Sequence, residues 1–581
     1  MLPRPDCRLE PIRKADVAVW PVPNHSTAGS QIVEVDNRVL VATVDGSTLR
    51  LSMGGTPKPW DDSGATRRVE SQIASAEGRL LLILDEGVDN VGIVMQTLEA
   101  GDVAFCRGKS LRAATAVPAG HKIALVDIDA GDNIRKLGHT IGVATAPIGA
   151  GEHVHVHNLA VPPARRAAAS SPREARAPWR SGVEVARESF LGYRRPDGRV
   201  GTRNYIGILP SVNCAATVAR LAATVAAPRL TGVASCDGVI ALAHDLGCGM
   251  AQGTTEDDLL RRTLRGYATH PNLAAVVVVT LGCEVNQPEN FLNGSAAHIE
   301  HLSIQELGGT NATVAEIVER IGRIAETLQN LEREPVPLSQ LTLGLQCGGS
   351  DAASAITANP TLGVASDILV AAGGRVILGE TPEIFGAEQL LRERAVTSDV
   401  ADHIDEKIAW WLDYAARNGV ELDNNPSAGN HEGGITTIWE KSLGAVLKGG
   451  SSPLSDVVEY AEPVVRPGLT FMDTPGYDPV SATGMVAGGA NVLAFTTGRG
   501  SVYGSRPVPC LKISSTTRLY ERMPDDIDFD AGGATTRSVQ IERGAQLFEA
   551  IVQMASGEPS KSELLGFGAE EIAPWRVGAV L

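Results

Sequence analysis

The sequence predicts an α/β fold in which a small β-rich N-terminal part precedes a large, multi-layer body with a mainly parallel sheet. One observation is that continuous Val/Ile/Leu runs without alternation suit strands that are buried on both faces. A second is that these runs alternate with helical patterns such as 311–334 and 399–417. The third is that six runs stop at polar residues among glycines, namely the run before Cys347 and the runs 205–209, 273–281, 376–378, 469–472 and 492–495. We expect one edge of the sheet to collect these polar residues, as in open α/β sheets that bind ligands there.

The first 79 residues are predicted to form a β-rich extension. Residues 31–44 alternate in part, and Asp45-Gly46 is a hairpin-type turn before Thr48. No chemistry is evident in this extension. A separate small β domain is expected at 80–159, where short strands at 80–84, 102–105 and 122–126 are divided by Gly and Asp turns.

Three histidines at alternate positions close this β domain. On a strand, His153, His155 and His157 would share one face and meet a metal ion or a carboxylate, with His121 and His139 as further partners. The alternative is a surface strand or an adventitious metal site. We expect a functional role.

A linker is predicted at 160–188, which is rich in Pro, Ala, Ser and Arg without apolar periodicity. It would tether the histidine-bearing domain to the body. We divide the body into an α/β domain at 189–390 and a second α/β domain at 391–581, which completes the active site.

The central feature of the body is the Gly-rich turn at 344–360. It places Cys347, Ser350, Asp351 and Asn359 where a strand gives way to a loop and then to a helix. Helix N-termini and free backbone N–H groups point into a crevice at such positions. Taken alone, such a turn could equally be a structural turn with a buried cysteine. The repetition of an apolar run that stops at polar residues among glycines favours a functional role instead.

Composition limits the partners. With 43% hydrophobic and 20% charged residues, and no apolar run near 20 residues, the chain is expected to be a soluble protein without a membrane partner. A net charge of −17 disfavours nucleic acid. Seven cations in Gly-rich segments suit a carboxylate ligand instead: Arg199, Arg203, Lys441, Lys448, Arg499, Arg506 and Lys512. Eight scattered cysteines and the absence of a secretion signal favour reduced thiols and a cytoplasmic location.

Seven strings occur in the order of a known family. They are 192–204, Leu246-Gly-Cys-Gly, Leu281-Gly-Cys-Glu, Gln346-Cys-Gly-Gly-Ser-Asp, Asn425-Pro-Ser-Ala-Gly-Asn, Glu440-Lys-Ser-Leu-Gly and Phe495-Thr-Thr-Gly-Arg-Gly. Over about residues 80–560 the chain resembles the altronate/galactarate dehydratases of sugar acids, and its His-Val-His-Val-His-Asn run is closer to the altronate branch. Residues 80–159 resemble that family's SAF-type domain. There are two departures. The segment before Leu80 has no recognised counterpart in the family, and His431 and Ala428 stand where the family is expected to have Lys and Pro.

The resemblance implies a hydro-lyase that removes water from an aldonate or aldarate to give a 2-keto-3-deoxy acid. It also implies a divalent metal, usually Fe2+, with Mn2+ as an alternative. The partner would be a small hydroxyacid, and a homo-oligomer is left open. Removal of the proton alpha to a carboxylate adds negative charge to that group, so a metal or fixed donors must stabilise it.

We expect the following residues to form the site. Proton transfer is assigned to His153, His155 and His157, and Lys441 is counted with them as catalytic. Arg203, Lys441 and Arg499 would bind the substrate carboxylate, and the hydroxyls would be bound by Ser350, Asp351, Asn359, Ser427, Asn430, Thr496 and Thr497. Candidate metal ligands are Cys283, Cys347, Glu284 and the histidines, because thiolates favour iron or zinc over magnesium.

Other functions stay open at this point. A lyase of the same fold could expel sulfite from sulfolactate, because the α-carboxylate and the α-proton are shared requirements. A non-catalytic sugar-acid-binding protein is disfavoured by the intact His run and the intact Cys-Gly-Gly-Ser-Asp turn. A dinucleotide-binding domain is disfavoured because the glycines at 484–489 and 498–500 do not give Gly-x-Gly-x-x-Gly with a following acid.

Overall fold

A computed structural model describes residues 79–106, 109–161, 187–292, 298–569 and 571–578, together with the backbone of five strands in the first 78 residues. The chain forms two compact units, Met1–Ala76 and Glu77–Leu581. In the first unit Ile12–Lys14 pairs with Val17–Val19. A second sheet joins Ser30–Val35, Arg38–Asp45 and Thr48–Met53, all antiparallel. The hairpin predicted after Asp45 is confirmed by the pairing of Asp45 with Thr48, although residues 46–47 lie outside the described part.

The second unit begins with a small β domain. Its six-stranded sheet runs in the order His153–Val154, Lys122–Ala124, Val91–Val94, Arg79–Leu82, Val103–Cys106, Lys109–Arg112. A three-stranded sheet joins Asn133–Lys136, His139–Ala144 and Leu159–Ala160. Alternate side chains such as Leu81, Val94 and Ile123 form its own small core. The three predicted strands are present, with ends shifted by at most two residues.

Four parallel strands form the next sheet, in the order Gly238–Ala241, Tyr205–Pro210, Leu273–Thr280, Ile299–Ser303. Helices Asn213–Ala226 and Thr310–Leu328 pack together against one face. Ile317, Ile321, Ile324 and Leu328 recur at helical spacing and give the second of these helices its buried stripe. Helix Thr255–Ala268 covers the other face and contacts helix Asp478–Ala487 of the next layer.

A seven-stranded parallel sheet forms the centre of the body. Its order is Leu454–Val458, Gly468–Met472, Arg375–Leu378, Thr342–Cys347, Val492–Thr497, Cys510–Ser514, Phe529–Asp530. Helices Ala358–Ala371 and Arg537–Ala555 pack on one face. A small sheet joins Val200–Gly201, Ser189–Arg194 and Glu334–Pro337. The other α-helices of the described residues are Gln389–Arg392, Ser398–Arg417, Ala428–Glu432, Ile438–Val446, Thr517–Arg522 and Lys561–Leu564.

The sheets confirm the predicted α/β fold. The prediction that one sheet edge collects the polar strand ends is wrong, because these strands belong to two sheets. The six apolar runs are parallel strands, but 205–209 and 273–281 belong to the four-stranded sheet and the other four belong to the seven-stranded sheet. The predicted boundary at 390 falls within the seven-stranded sheet, because strands before and after it pair. Buried runs look alike whichever sheet they join, so the sequence pattern does not carry strand pairing. Most of the predicted linker at 160–188 lies outside the described residues.

No helix among the described residues combines the length and the apolar character that a bilayer crossing requires.

Candidate active site

The Gly-rich turn follows strand Thr342–Cys347 and leads into helix Ala358–Ala371, as predicted. Gly348 has no room for a side chain, because a Cβ there would lie 2.2 Å from Oδ2 of Asp478. Gly349 has a φ of +60°, which favours glycine. These glycines let the chain turn sharply and leave Cys347 buried at the carboxyl end of its strand.

Two buried glutamates and a lysine surround the Cys347 thiol. Its Sγ lies 3.6 Å from Oε2 of Glu380 and 3.6 Å from Oε2 of Glu383. The Lys448 ammonium donates to Sγ at 2.9 Å and to Glu380 Oε2 at 2.7 Å. Glu380 follows the neighbouring strand Arg375–Leu378, and Glu383 lies in the short helix Thr381–Ile384 after it. Adjacent parallel strands therefore deliver the thiol and the carboxylates to one point.

The cations come from one helical segment. Lys441 lies on helix Ile438–Val446, and Lys448 lies about two turns further on, in the short helix Leu447–Gly449. Lys441 Nζ donates at 2.7 Å to both Glu383 Oε1 and Asn425 Oδ1. Two ammonium groups thus face two carboxylates around the thiol.

Burial sets the ionisation of this cluster. Desolvation raises the pKa of Cys347 and of Glu380, against the opposing effect of Lys448. Although desolvation disfavours its charged form, the carboxylate of Glu383 raises the pKa of Lys441. Asp478, beside Gly348, has a pKa raised well above its usual range, first by desolvation and then by Glu380 and Glu383. A proton is therefore easily accommodated among these carboxyl groups.

Cys347, Glu380 and Glu383 also fit a metal ion. Their ligand atoms lie within 4.8 Å of one another, and no other group in the described part of the chain meets that condition. Oε1 of Glu380 is buried and has no hydrogen-bond partner there, so one lone-pair site is left for a cation. A thiol and two carboxylates suit iron, manganese or zinc. Lys448 touches two of the three ligands, so an ion would share them with this ammonium.

A small cavity of about 10 Å³ adjoins the cluster, which is room for about one water molecule. The predicted residues Cys347, Ser350, Asp351, Asn359 and Lys441 line it, together with Lys136 and Glu440. No histidine is among the lining residues. The sequence thus identified much of the cavity wall but not the contribution from the β domain.

Further predicted polar residues support the cavity wall. Asn359 donates to the carbonyl of Gly444 and accepts from the Thr496 hydroxyl at 2.7 Å. Asn430 donates to the Ser350 carbonyl at 2.8 Å. Ser427 and Asn430 form the capping box of helix Ala428–Glu432. Thr497 accepts from the backbone N–H of Gly500.

The histidines form a cluster that contacts the 430–435 segment. Ring centroids of His121, His153 and His155 lie 4.8–5.3 Å apart, and His157 is 5.4 Å from His153. The strand ends after Val154, so the rings converge through a turn and not through the extended strand that we expected. His139, a predicted partner, is exposed.

These imidazoles bind the body through its backbone. His155 Nε2 lies 2.9 Å from the carbonyl of His431, and His121 Nε2 lies 3.1 Å from that of Glu432. Desolvation, followed by neighbouring histidines, lowers the pKa of His153 to about 3. Desolvation and then Lys122 lower the pKa of His155 to about 4. Both rings are therefore neutral near pH 7. His431 stands T-shaped to His155 at 6.1 Å, so the residue that departs from the family pattern belongs to this cluster.

Three buried charges join the β domain to the body. Glu440 accepts from Lys122 at 2.8 Å and from Lys136 at 2.7 Å, and all three side chains are at most 2% exposed. Burial opposes the charge of Glu440, but the two ammonium groups hold its pKa far below the usual range.

The guanidinium of Arg203, for which we predicted a carboxylate-binding role, contacts groups of the protein itself in the structure. The side chain is 3% exposed and donates twice to Glu563, at 2.7 and 2.8 Å. The remaining donors bond the carbonyls of Thr202, Met554 and Glu558. Arg203 therefore anchors the C-terminal helices. Arg499, by contrast, is 45% exposed and forms an ion pair with Glu432 of the 430–435 segment.

Cys283 and Glu284, two predicted metal ligands, lie after strand Leu273–Thr280 in the four-stranded sheet. Glu284 is buried and accepts from Ser211 Oγ and from the backbone N–H groups of Leu281 and Gly282. Neither residue belongs to the group that Cys347 forms.

Sequence reasoning missed Glu380, Glu383 and Glu440 as site residues. Glu380 follows a predicted strand in Gly379-Glu-Thr-Pro, and its φ of +67° is rare for a residue with a side chain. The signal that could have found Glu380 is an acidic residue directly after a predicted buried strand.

Family models match most of the chain. The altronate/galactarate dehydratase SAF domain matches residues 81–162, the second domain of D-galactarate dehydratase/altronate hydrolase matches 192–329, and the C-terminal domain of D-galactarate/altronate dehydratase matches 338–580. The β domain, the four-stranded sheet and the seven-stranded sheet thus each correspond to one family domain.

Curated relatives are similar over nearly their whole length. Altronate dehydratase of Bacillus subtilis is 34% identical over 496 residues, which cover 85% of this chain and 98% of that protein. Galactarate dehydratase (L-threo-forming) of Escherichia coli is 36% identical over 484 residues, which cover 81% and 92%. The beta subunit of (2R)-sulfolactate sulfo-lyase from Chromohalobacter salexigens is 33% identical over 392 residues, which cover 66% and 97%. The chain therefore belongs to the altronate/galactarate dehydratase family of hydro-lyases.

Proposed function

We propose that this protein dehydrates an altronate-like or galactarate-like sugar acid to a 2-keto-3-deoxy acid with the help of a divalent metal. The observation that carries the proposal is the buried cluster of Cys347, Glu380, Glu383, Lys441 and Lys448 beside the Gly-rich turn. The three family domains and relatives that are named as dehydratases of both acids support the substrate class.

The reaction needs a cation, a base and an acid. Breaking the α C–H bond leaves its electron pair on the carboxylate as an enediolate, so fixed positive charge must face that group. Lys441 fits this role because it keeps its proton and reaches the cavity. The β C–O bond then breaks, a proton from the acid makes the leaving group water, and the enol product tautomerises to the keto acid.

Two sets of residues are candidates for the proton transfers. The neutral imidazoles of His153 and His155 can accept a proton, and His157 belongs to the same cluster. They do not line the cavity, so they act only if the 430–435 segment or the β domain shifts when substrate enters. The second set is the Glu383–Lys441 pair, which lies at the cavity already.

The metal would be held by Cys347, Glu380 and Glu383, and we propose Fe2+, with Mn2+ as the alternative. The thiol favours iron, whereas the carboxylates suit either metal. When bound, the ion would supply a Lewis acid for the carboxylate of the substrate. Ser350, Asp351 and Asn359 would then contact the sugar hydroxyls, with Thr496 and Asn430 holding them in place.

We also propose a cytoplasmic location and a small-molecule hydroxyacid as partner. The seven cysteines in the described residues are all free thiols, which suits a reducing compartment.

The test is a turnover assay of the metal-loaded protein with altronate, galactarate and sulfolactate, in which 2-keto acid and sulfite are measured separately. Keto acid from a sugar acid without sulfite is the expected result. Sulfite release from sulfolactate alone would replace the proposal by the sulfo-lyase alternative, which the similarity to the sulfo-lyase subunit makes worth testing. Cys347→Ser should lose bound metal while the fold, followed by circular dichroism, is kept.

A further inference from the structure

Three cysteines outside the candidate active site share one edge of the four-stranded sheet. Cys214 follows strand Tyr205–Pro210 in the first turn of helix Asn213–Ala226, Cys248 follows strand Gly238–Ala241, and Cys283 follows strand Leu273–Thr280. These strands are neighbours and parallel, so their carboxyl ends meet at the same edge.

The three cysteine-bearing loops are fixed to one another. The backbone N–H of Asn213 donates to the carbonyl of Leu246 at 2.8 Å. Asn286 Nδ2 donates to the Ser211 carbonyl at 3.0 Å, and Ser211 Oγ donates to Glu284. A Cβ on Gly247 would lie 2.6 Å from the Ser211 carbonyl oxygen, so the loops approach as closely as backbones can. The thiols therefore stand on a rigid frame.

The thiols lie close together and face solvent. All three cysteines are free and exposed. Desolvation first, and then the Cys248 and Cys283 thiols, raise the pKa of Cys214, and the Cys248 thiol is within hydrogen-bonding range of Cys214. Gln305 Nε2 donates to Cys283 Sγ at 3.4 Å. Even so, the three Sγ atoms do not converge within 4.8 Å, the spacing that one shared ion requires and that Cys347, Glu380 and Glu383 meet.

We propose that Cys214, Cys248 and Cys283 bind an iron–sulfur cluster through three thiolates, which leaves one iron without a protein thiolate. A cluster is larger than a single ion, so it bridges thiolates that are adjacent but not convergent. Thiolates are the usual ligands of such clusters. The N-terminus of the 14-residue helix at Asn213 adds a favourable partial charge for an anionic cluster. Gly247, Gly249 and Gly282 adopt positive φ and keep side chains away from it.

An open pocket of about 480 Å³ begins beside this edge. Its lining includes Asn213, next to Cys214, and Tyr477, next to Asp478. Asp478 in turn lies against Gly348 of the central turn. The cluster site and the candidate active site therefore border the same region from two different sheets, so total iron alone does not distinguish them.

The test measures iron and acid-labile sulfide per chain after anaerobic reconstitution of the full-length protein with ferrous iron and sulfide. The expected result is that the wild type holds both and shows a visible sulfur-to-iron charge-transfer band. Cys214→Ser, Cys248→Ser and Cys283→Ser should each lose the sulfide and the band. The matched control is Cys236→Ser, a thiol of the same sheet domain that bonds only to Gly238 within the described contacts. It should retain both.

Two comparisons separate this proposal from the proposed function. Cys347→Ser should keep the sulfide, because a single ion at Cys347 contains none. Iron without sulfide in the wild type, or sulfide that survives all three serine variants, would overturn the cluster. Alkylation of the unmodified protein gives a second measurement that needs no variant: reconstitution should protect Cys214, Cys248 and Cys283 and leave Cys236 unchanged. Equal alkylation before and after reconstitution would also overturn it.

Discussion

Lys441 and Lys448 lie on the same helical segment but have different surroundings. Lys448 is fully buried and donates to Cys347 and Glu380, whereas Lys441 lines the cavity and is 10% exposed. A ligand with a carboxylate can therefore approach Lys441 without displacing the ammonium that stabilises the cluster. This difference is the reason why we propose Lys441, and not Lys448, as the substrate-binding lysine.

Lys441→Met should lower kcat/KM by at least about 100-fold, since it removes the cation that faces the developing enediolate. Circular dichroism and the thermal midpoint show whether the fold survives. The matched control is Lys407→Met, because Lys407 pairs with the exposed Glu459 and is not among the residues that line the cavity. Equal activity of both variants would contradict the assigned role.

The imidazole of His155 allows a prediction of how the activity depends on pH. If its imidazole is the base, activity requires the neutral ring, which is lost as the pH falls through a pKa of about 4. The profile of log kcat/KM should therefore be flat from neutral pH down to roughly pH 5 and then fall by about one per pH unit. His155→Ala should abolish turnover, whereas His139→Gln, at an exposed histidine of the same domain, should not. Unchanged turnover in His155→Ala would remove the β domain from the mechanism.

Single residues were predictable where the sequence marks them by context. Cys347 and Asp351 follow an apolar run within a Gly-rich turn, and both line the cavity. Arg203 sits in an equally suggestive string, yet its partner Glu563 is 360 residues away and carries no local signal. Contacts between residues so far apart in the sequence depend on tertiary packing, which a local sequence motif does not predict.

At the scale of elements, the prediction succeeded for strands and failed for their pairing. The parallel strands Thr342–Cys347 and Arg375–Leu378 end where the apolar runs end, because burial on both faces dictates their composition. Which strands are neighbours depends on crossover helices and not on the strands themselves. That is why Glu380 and Cys347 could not be joined from the sequence, although both were seen at strand ends.

The contact between the β domain and helix Ile438–Val446 yields a stability prediction. Glu440→Gln leaves Lys122 and Lys136 buried without a counter-charge, and such a loss costs about 3–5 kcal/mol in the free energy of unfolding. Urea unfolding followed by circular dichroism measures it. As a control, Glu549→Gln breaks an exposed pair with Arg187 and should cost about 0–1 kcal/mol. Similar costs for the two variants would show that Glu440 does not clamp the β domain.

At the scale of the whole molecule, the two sheets of the body are joined by a polar network. Asn272 bonds the Thr202 N–H at 2.8 Å and the Pro507 carbonyl at 3.0 Å, and Thr202 Oγ donates to the Asn491 carbonyl. His270 belongs to the same junction, where its Nε2 lies 3.0 Å from the Ala490 carbonyl and its Nδ1 accepts from the Asn272 N–H. This junction fixes the position of the cysteine-bearing edge of the four-stranded sheet relative to the Gly-rich turn of the seven-stranded sheet.

The protonation of His270 should weaken this junction at low pH. Burial lowers the pKa of His270 from 6.5 to about 3 in the folded protein, because the charged ring is desolvated. A second ring proton would also break the bond from the Asn272 N–H. Between these two pH values the unfolded chain holds the extra proton. The free energy of unfolding therefore falls as the pH falls from 6.5, by up to about 1.4 kcal/mol per pH unit for this group.

His270→Gln should reduce that slope, since glutamine offers a donor and an acceptor but does not titrate. Urea midpoints measured at neutral pH and near pH 5 for wild type, His270→Gln and the exposed control His403→Gln give the comparison. The His403 variant should keep the wild-type slope, whereas the His270 variant should lose stability at neutral pH and lose less of it on acidification. Hydrogen exchange of strands Leu273–Thr280 and Val492–Thr497 would show whether the loss begins where the sheets meet. Parallel pH curves for wild type and His270→Gln would mean that the junction is held by the amide network alone.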